Sequence, residues 1–214
     1  MSVEQLKVDA IDAAQKYKAR YKQSLDPNDL DLFQRFMDVY NHLDGINIGL
    51  FSQIENGPTV IYTDGESSIV GNGVGGRSVP ADYFSVGNAF KFFVHGDMTS
   101  LNNAQLRIKI KEGAATIAQT TIVLVATTSE HFDMDITFIV RAVGGAGVAK
   151  LLTVGTFSYS KSSNNLSEVF HFDSLEETNF DTTVATTLDV TAEWLTSGAE
   201  NQLFTQSLNL YKIW

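Results

Sequence analysis

Two kinds of hydrophobic spacing divide the chain: steps of three and four residues at its start, and steps of two over the remainder. Between residues 3 and 23, Val3, Leu6, Ala10, Ala13, Ala14, Tyr17 and Tyr21 fall on one stripe, which predicts an amphipathic helix. Lys16, Lys18, Arg20 and Lys22 crowd its last turns, where cations complement the negative end of the helix dipole. A second helix is predicted directly afterwards. Asp26 suits its N-cap, Pro27 its first position and Gly45 its stop, and Leu30, Phe33, Phe36, Met37, Tyr40 and Leu43 form its apolar face.

From Ile46 the helical period stops and Asn, Gly, Ser and Thr rise. TVIYT (59–63), a turn at Asp64 and Gly65, and SSIV (67–70) predict a hairpin, because an Asp-Gly pair supplies the positive φ angles such turns need. Phe84, Val86, Phe90, Phe92 and Val94 share one parity. Leu106, Ile108 and Ile110 alternate with Arg107, Lys109 and Lys111, whereas Ile117 to Val125 is apolar on both faces, as a central strand is. Phe132, Met134, Ile136, Phe138 and Val140 alternate with His131, Asp133, Asp135 and Thr137, and the glycine-rich run at 144–147 turns the chain. Strands at 150–160 and 166–172 precede a final pair, Leu188 to Trp194 and Leu203 to Ile213. Strands in succession with no helix between them predict a mainly β protein: an antiparallel, jelly-roll-like sandwich of about eight to ten strands behind two N-terminal helices. The expected divisions are a helical oligomerisation or attachment segment (1–45), a linker with a hairpin and a Gly-rich loop (46–80), and the sandwich (81–214).

In the last strand Phe204, Leu208 and Leu210 take one face while Leu203, Tyr211 and Ile213 take the other. A sandwich strand needs one apolar face, so the second requires a helix, a neighbouring subunit or a local bulge. The helical stripes carry the same surplus. Leu6, Tyr17, Phe33, Phe36, Tyr40, Leu203, Tyr211 and Ile213 are therefore the candidate oligomer-interface residues.

Composition narrows the function classes. A hydrophobic content of 43% in 214 residues supports a substantial core. The formal charge of -10 argues against nucleic acid and against docking on an anionic membrane. No apolar window is long enough to span a bilayer, and the amphipathic N-terminus lacks the apolar core of a signal peptide, so a soluble product made in the cytoplasm is expected. Zero cysteines exclude disulfides, thiolate metal sites and Cys nucleophiles.

Candidate chemistry is sparse. Gly71, Gly73 and Gly76 fit G-x-G-x-x-G, but β-like residues and Pro80 follow where a dinucleotide site needs a helix, which favours a loop. His131, Asp133 and Asp135 line one face of a strand and are the candidate metal ligands; the competing reading is a solvated face paired with Arg107, Lys109 and Lys111. There is no G-x-S-x-G elbow, and His42, His95, His131 and His171 have no recognised catalytic spacing, so no catalytic residue and no cofactor are expected. Tyr62, Tyr83, Tyr159 and Trp194 are aromatic candidates for stacking on sugars.

The segments RSVPADYFSVGNAFKFFVHGDM, IVRAVGGAG and LDVTAEW, followed by a C-terminal strand, make an ordered succession over residues 72–214. It resembles the jelly-roll modules of virion structural proteins, found in tail fibres, head fibres and minor capsid components of tailed phages and large DNA viruses. The two helices match nothing in that family. The resemblance implies a non-enzymatic protein of the capsid or tail surface, assembled as a homotrimer and in contact with other virion proteins. Its alternative is an adhesin or receptor-binding head that recognises a host surface glycan.

Overall fold

The computed structural model describes residues 3–24, 28, 32–33, 35–36, 48–162, 166–174 and 180–213. The chain divides into two units, residues 1–48 with 213–214, and residues 49–212.

In the first unit, α1 (Val3–Ser24) is the helix predicted from the 3–23 stripe, with Lys22 in its last turn. Ala10 and Ala14 are buried, so the stripe marks the packed face, while Leu6 is 40% exposed. Asn28, Leu32, Phe33, Arg35 and Phe36 are helical; the remainder of the second predicted helix, with Tyr40, lies outside the described residues. Tyr17 stacks on Phe36 with ring centroids 5.6 Å apart, and Lys18 Nζ lies 5.4 Å from the centre of the Phe33 ring. Three of the proposed interface aromatics thus meet partners within their own chain.

The second unit is an antiparallel β-sandwich. Its strands are β1 (Ile48–Gln53), β2 (Val60–Ile61), β3 (Ser67–Ser68), β4 (Gly73–Gly75), β5 (Ser78–Val79), β6 (Ala89–Ser100), β7 (Ala104–Glu112), β8 (Ala115–Leu124), β9 (Thr127–Ala142), β10 (Lys150–Ser160), β11 (Ser167–His171), β12 (Asp173–Ser174), β13 (Thr186–Trp194) and β14 (Gln202–Lys212). The first sheet runs β11-β10-β9-β6-β14-β1-β4, with β2 also paired to β14. The second runs β12-β8-β7-β13-β3, with β5 also paired to β13. The count exceeds the expected eight to ten because β2 to β5 and β12 are pieces of two or three residues.

Alternation explains the core. Along β6, β7 and β9, every second side chain points inward, so Phe90, Phe92, Val94, Leu106, Ile108, Ile110, Phe132, Met134, Ile136 and Phe138 are all fully buried. Aromatic rings form its centre: Phe90 stacks on Phe138 at 5.1 Å, and Phe132 on Phe157 at 5.6 Å. Such pairs add about 0.5–1.5 kcal/mol each to the burial of the rings.

Four expectations need correction. Residues 59–70 form no hairpin: β2 pairs with β14 in one sheet and β3 with β13 in the other. Asp64 and Gly65 do turn the chain, with Gly65 at φ 65°, but the strands on either side diverge. Residues 49–80 are accordingly part of the sandwich and not a linker. Val86 is 64% exposed, because the strand begins only at Ala89. Finally, β8 is flanked on its outer side by only the two-residue β12, and Val123 on it is 51% exposed, so it is not a central strand.

The two-faced apolarity of the last strand has a local cause. The β14–β6 register shifts between Thr205 and Ser207, so Leu203 points inward before the bulge and Leu208 and Leu210 point inward after it. Leu203 is fully buried in the core and is withdrawn as an interface candidate; Tyr211 is 37% exposed and Ile213 half-buried.

Candidate functional site

The outward face of the first sheet carries the densest chemistry. Lys91, Phe93, His95 and Asp97 alternate outward along β6, and His131, Asp133, Asp135 and Thr137 do so along β9. The antiparallel register sets His95 opposite Asp133 and Asp97 opposite His131. Both rungs close. His95 Nδ1 bonds to the Asp133 carboxylate, and His131 Nδ1 lies 2.5 Å from Asp97 Oδ1. Gln206 at the β14 bulge donates to the second Asp97 oxygen at 2.6 Å. Phe93 packs edge-on against His95 at 4.4 Å, and Lys91 pairs with Asp135 at 2.7 Å.

The predicted metal row therefore does not converge as drawn. His131, Asp133 and Asp135 each bond to a different residue of β6, and among the described residues no group of three or more His, Cys, Asp or Glu has metal-holding geometry. The competing pairing with the basic row of β7 is also incorrect, since β7 lies in the other sheet. Lys109 and Lys111 both bond to Glu66, and Arg107 reaches Glu193 at 3.4 Å. The half of the His–Asp ladder contributed by β6 was not singled out in the sequence, because strand pairing determines it.

A second feature lies where two turns meet. Val60 and Ile61 lead into a 3-10 turn at Tyr62–Asp64, whose opening amide on Ile61 donates to Asp64 Oδ2 at 2.8 Å. Trp194 anchors the approach, its Nε1–H donating to the Val60 carbonyl at 3.1 Å. Opposite runs the 196–201 turn. There the buried Asn201 accepts the Leu101 amide at 2.8 Å and donates to the Thr196 carbonyl at 3.2 Å. Between them Ile61, Tyr62, Thr63, Ser197, Gly198 and Ala199 line a hollow of about 390 Å³, within the range of small-ligand sites. Tyr62 is 41% exposed at its rim. Of the other aromatic candidates, Trp194 and Tyr159 are buried in the core and Tyr83 packs against it.

Among the shifted carboxylates, Glu66 is displaced furthest and Glu112 is the one pushed upward. Glu66 sits between Lys109, Lys111 and Thr191; partial burial alone would raise its pKa, but hydrogen bonds from all three bring it down to about 2. Glu112 ends β7 with its Oε1 buried and lacking a partner; burial pushes its pKa up, a Thr186 hydrogen bond opposes this, and the Asp181 charge adds to the rise.

The Gly-rich loop has a structural purpose. A Cβ on Gly73 would lie 2.4 Å from the Phe51 ring, and one on Gly75, at φ +91°, would lie 2.1 Å from the Leu50 carbonyl oxygen. These glycines let β4 approach β1, and the short strand β5, not a helix, comes next where a phosphate site would need a helix N-terminus.

No family model matches the chain, and no curated protein does. Among solved structures, it is similar to the CBM2 module of the evolved Dit of Lactobacillus casei BL23 phage J-1, with 9% identity over 63% of this chain and a TM-score of 0.28. The chain spans 66% of that module's length. A tetrameric galectin from the ball sponge Cinachyrella sp. is similar over 61% of this chain and 95% of its own, with 10% identity and a TM-score of 0.25. At these TM-scores neither likeness identifies a family or a function for this chain.

Proposed function

We propose that the protein is a non-enzymatic virion structural component: a jelly roll displayed on a capsid or tail surface, with the N-terminal helical segment serving in trimer assembly or attachment to other virion proteins. The observation that supports it is strand order. Ranked one to eight along the chain, β1, β3, β6, β7, β8, β9, β13 and β14 lie in the order one-eight-three-six in the first sheet and two-seven-four-five in the second. That is the wrapping of a jelly roll, the architecture that the sequence resemblance implies. Strands β10 and β11 extend the first sheet beyond it. Quantitative mass spectrometry of purified particles from the virus that encodes this chain tests the reading. A copy number that is a multiple of three is expected, and absence of the chain from the particle would overturn it.

A second reading, recognition of a host surface glycan, is favoured by the Tyr62 hollow. It offers an exposed aromatic face beside the Ser197 and Thr63 side chains. A glycan array probed with the full chain and with Tyr62→Ala separates the two readings: binding that the variant loses supports the adhesin, and a blank array removes it.

A further inference from the structure

We propose that His95 and His131 form a chelating pair for a borderline divalent cation of the zinc class on the outward face of the first sheet. The ladder register makes these two imidazoles diagonal neighbours on β6 and β9, since His95 faces Asp133 and His131 faces Asp97. Diagonal positions on adjacent antiparallel strands lie about 7–8 Å apart at the backbone, close enough for two long side chains to converge on one atom. Each ring is already prepared for ligation. A carboxylate engages Nδ1 of each ring, so Nε2 is the ring nitrogen left to face an ion. This carboxylate–histidine pairing orients a ligating ring and raises its basicity. Asp97 is itself held, fixed on its other oxygen by Gln206.

Access and charge agree with this role. His131 is 77% exposed and His95 39% at the side chain, so an ion reaches both without the fold opening. Asp97 and Asp133 supply two negative charges beside the pair, and the nearby Lys91 is engaged with Asp135. Two nitrogen donors at Zn–N distances of about 2.0–2.1 Å, with water completing a tetrahedron, suit zinc, and the same two nitrogens with water in a tetragonal set suit copper or nickel. Calcium or magnesium would require six or more oxygens, and here each carboxylate has given one oxygen to a ring. The assignment replaces the row along β9 with a pair across two strands. It also explains why two histidines and two aspartates occupy a four-residue checkerboard on an exposed face.

The test is calorimetric titration of zinc chloride into the untagged full chain, with magnesium chloride as the control. One zinc ion per chain is expected, with no saturable magnesium binding. His131→Gln and His95→Gln should each weaken zinc roughly tenfold or more, and Asp133→Asn by a comparable factor, because outer carboxylates typically contribute 10- to 100-fold. His171→Gln should leave affinity unchanged. Electron paramagnetic resonance of the copper-loaded chain should show two coupled nitrogens, reduced to one in His131→Gln. Absence of saturable zinc binding, equal affinity for magnesium, or undiminished zinc binding by the His95→Gln/His131→Gln double variant would overturn the proposal.

Discussion

Replacing Glu66 by Gln tests how the segment carrying Tyr62 is held. Glu66 sits directly before β3 and accepts hydrogen bonds from Lys109 and Lys111 of β7 and from Thr191 of β13, clasping the short edge of the second sheet. Its carboxyl is displaced from the ordinary 4.5 to about 2, which corresponds to roughly 3 kcal/mol at full strength. The cluster is partly solvated, with side chains 18–26% exposed, so screening reduces the expected contribution to about 1–2 kcal/mol. The sign follows from the direction of the shift. A depressed folded-state pKa gives stability that is present above pH 4.5 and lost as the pH falls toward 2. Urea denaturation of the parent and Glu66→Gln should therefore show a gap of about 1–2 kcal/mol at pH 7 that closes near pH 2. The same variant should broaden the resonances of Tyr62 before those of the β6 and β9 core. Equal stability at pH 7, or a gap that persists undiminished at pH 2, would refute the clasp.

Three further outcomes are expected. Glu112 has the opposite sign: its raised pKa means stability is complete below pH 4.5 and declines as the pH rises above that value, so Glu112→Gln should stabilise the protein at pH 7 and leave it unchanged at pH 4, as thermal melts would show. Gly75→Ala sets a Cβ against the Leu50 carbonyl at positive φ and should cost about 2 kcal/mol or more, with a neutral result in urea denaturation counting against the close β4–β1 contact. Deleting residues 1–45 should leave a folded sandwich by circular dichroism while weakening assembly in light scattering, because β1 starts only at Ile48; an unfolded product would place the helices in the core.

Where a pattern was local, the sequence disclosed it. The alternation of Leu106, Ile108 and Ile110 with Arg107, Lys109 and Lys111 placed β7 and its inward face, and β10 runs from Lys150 to Ser160 as its spacing predicts. Parity failed at Leu203, where a bulge between Thr205 and Ser207 reverses which side chains face inward without a Gly or Pro to signal it. Pairing failed at residues 59–70, because Asp64 and Gly65 specify a turn but not which distant strands its arms join. The candidate sites depended on such pairing. His131 and Asp133 were visible as a row on one strand, but their partners Asp97 and His95 lie 34 and 38 residues earlier, and only the β6–β9 register brings them opposite. Tyr62 was visible only as one tyrosine among several. What distinguishes it is that Trp194 and Tyr159 were drawn into the core, where Trp194 anchors the segment leading to Tyr62.

Trimeric assembly is the feature on which the proposed function depends most. Sedimentation equilibrium of the purified full chain at micromolar concentration tests it most directly. The account predicts a single species of three times the chain mass, and a clean monomer would contradict it.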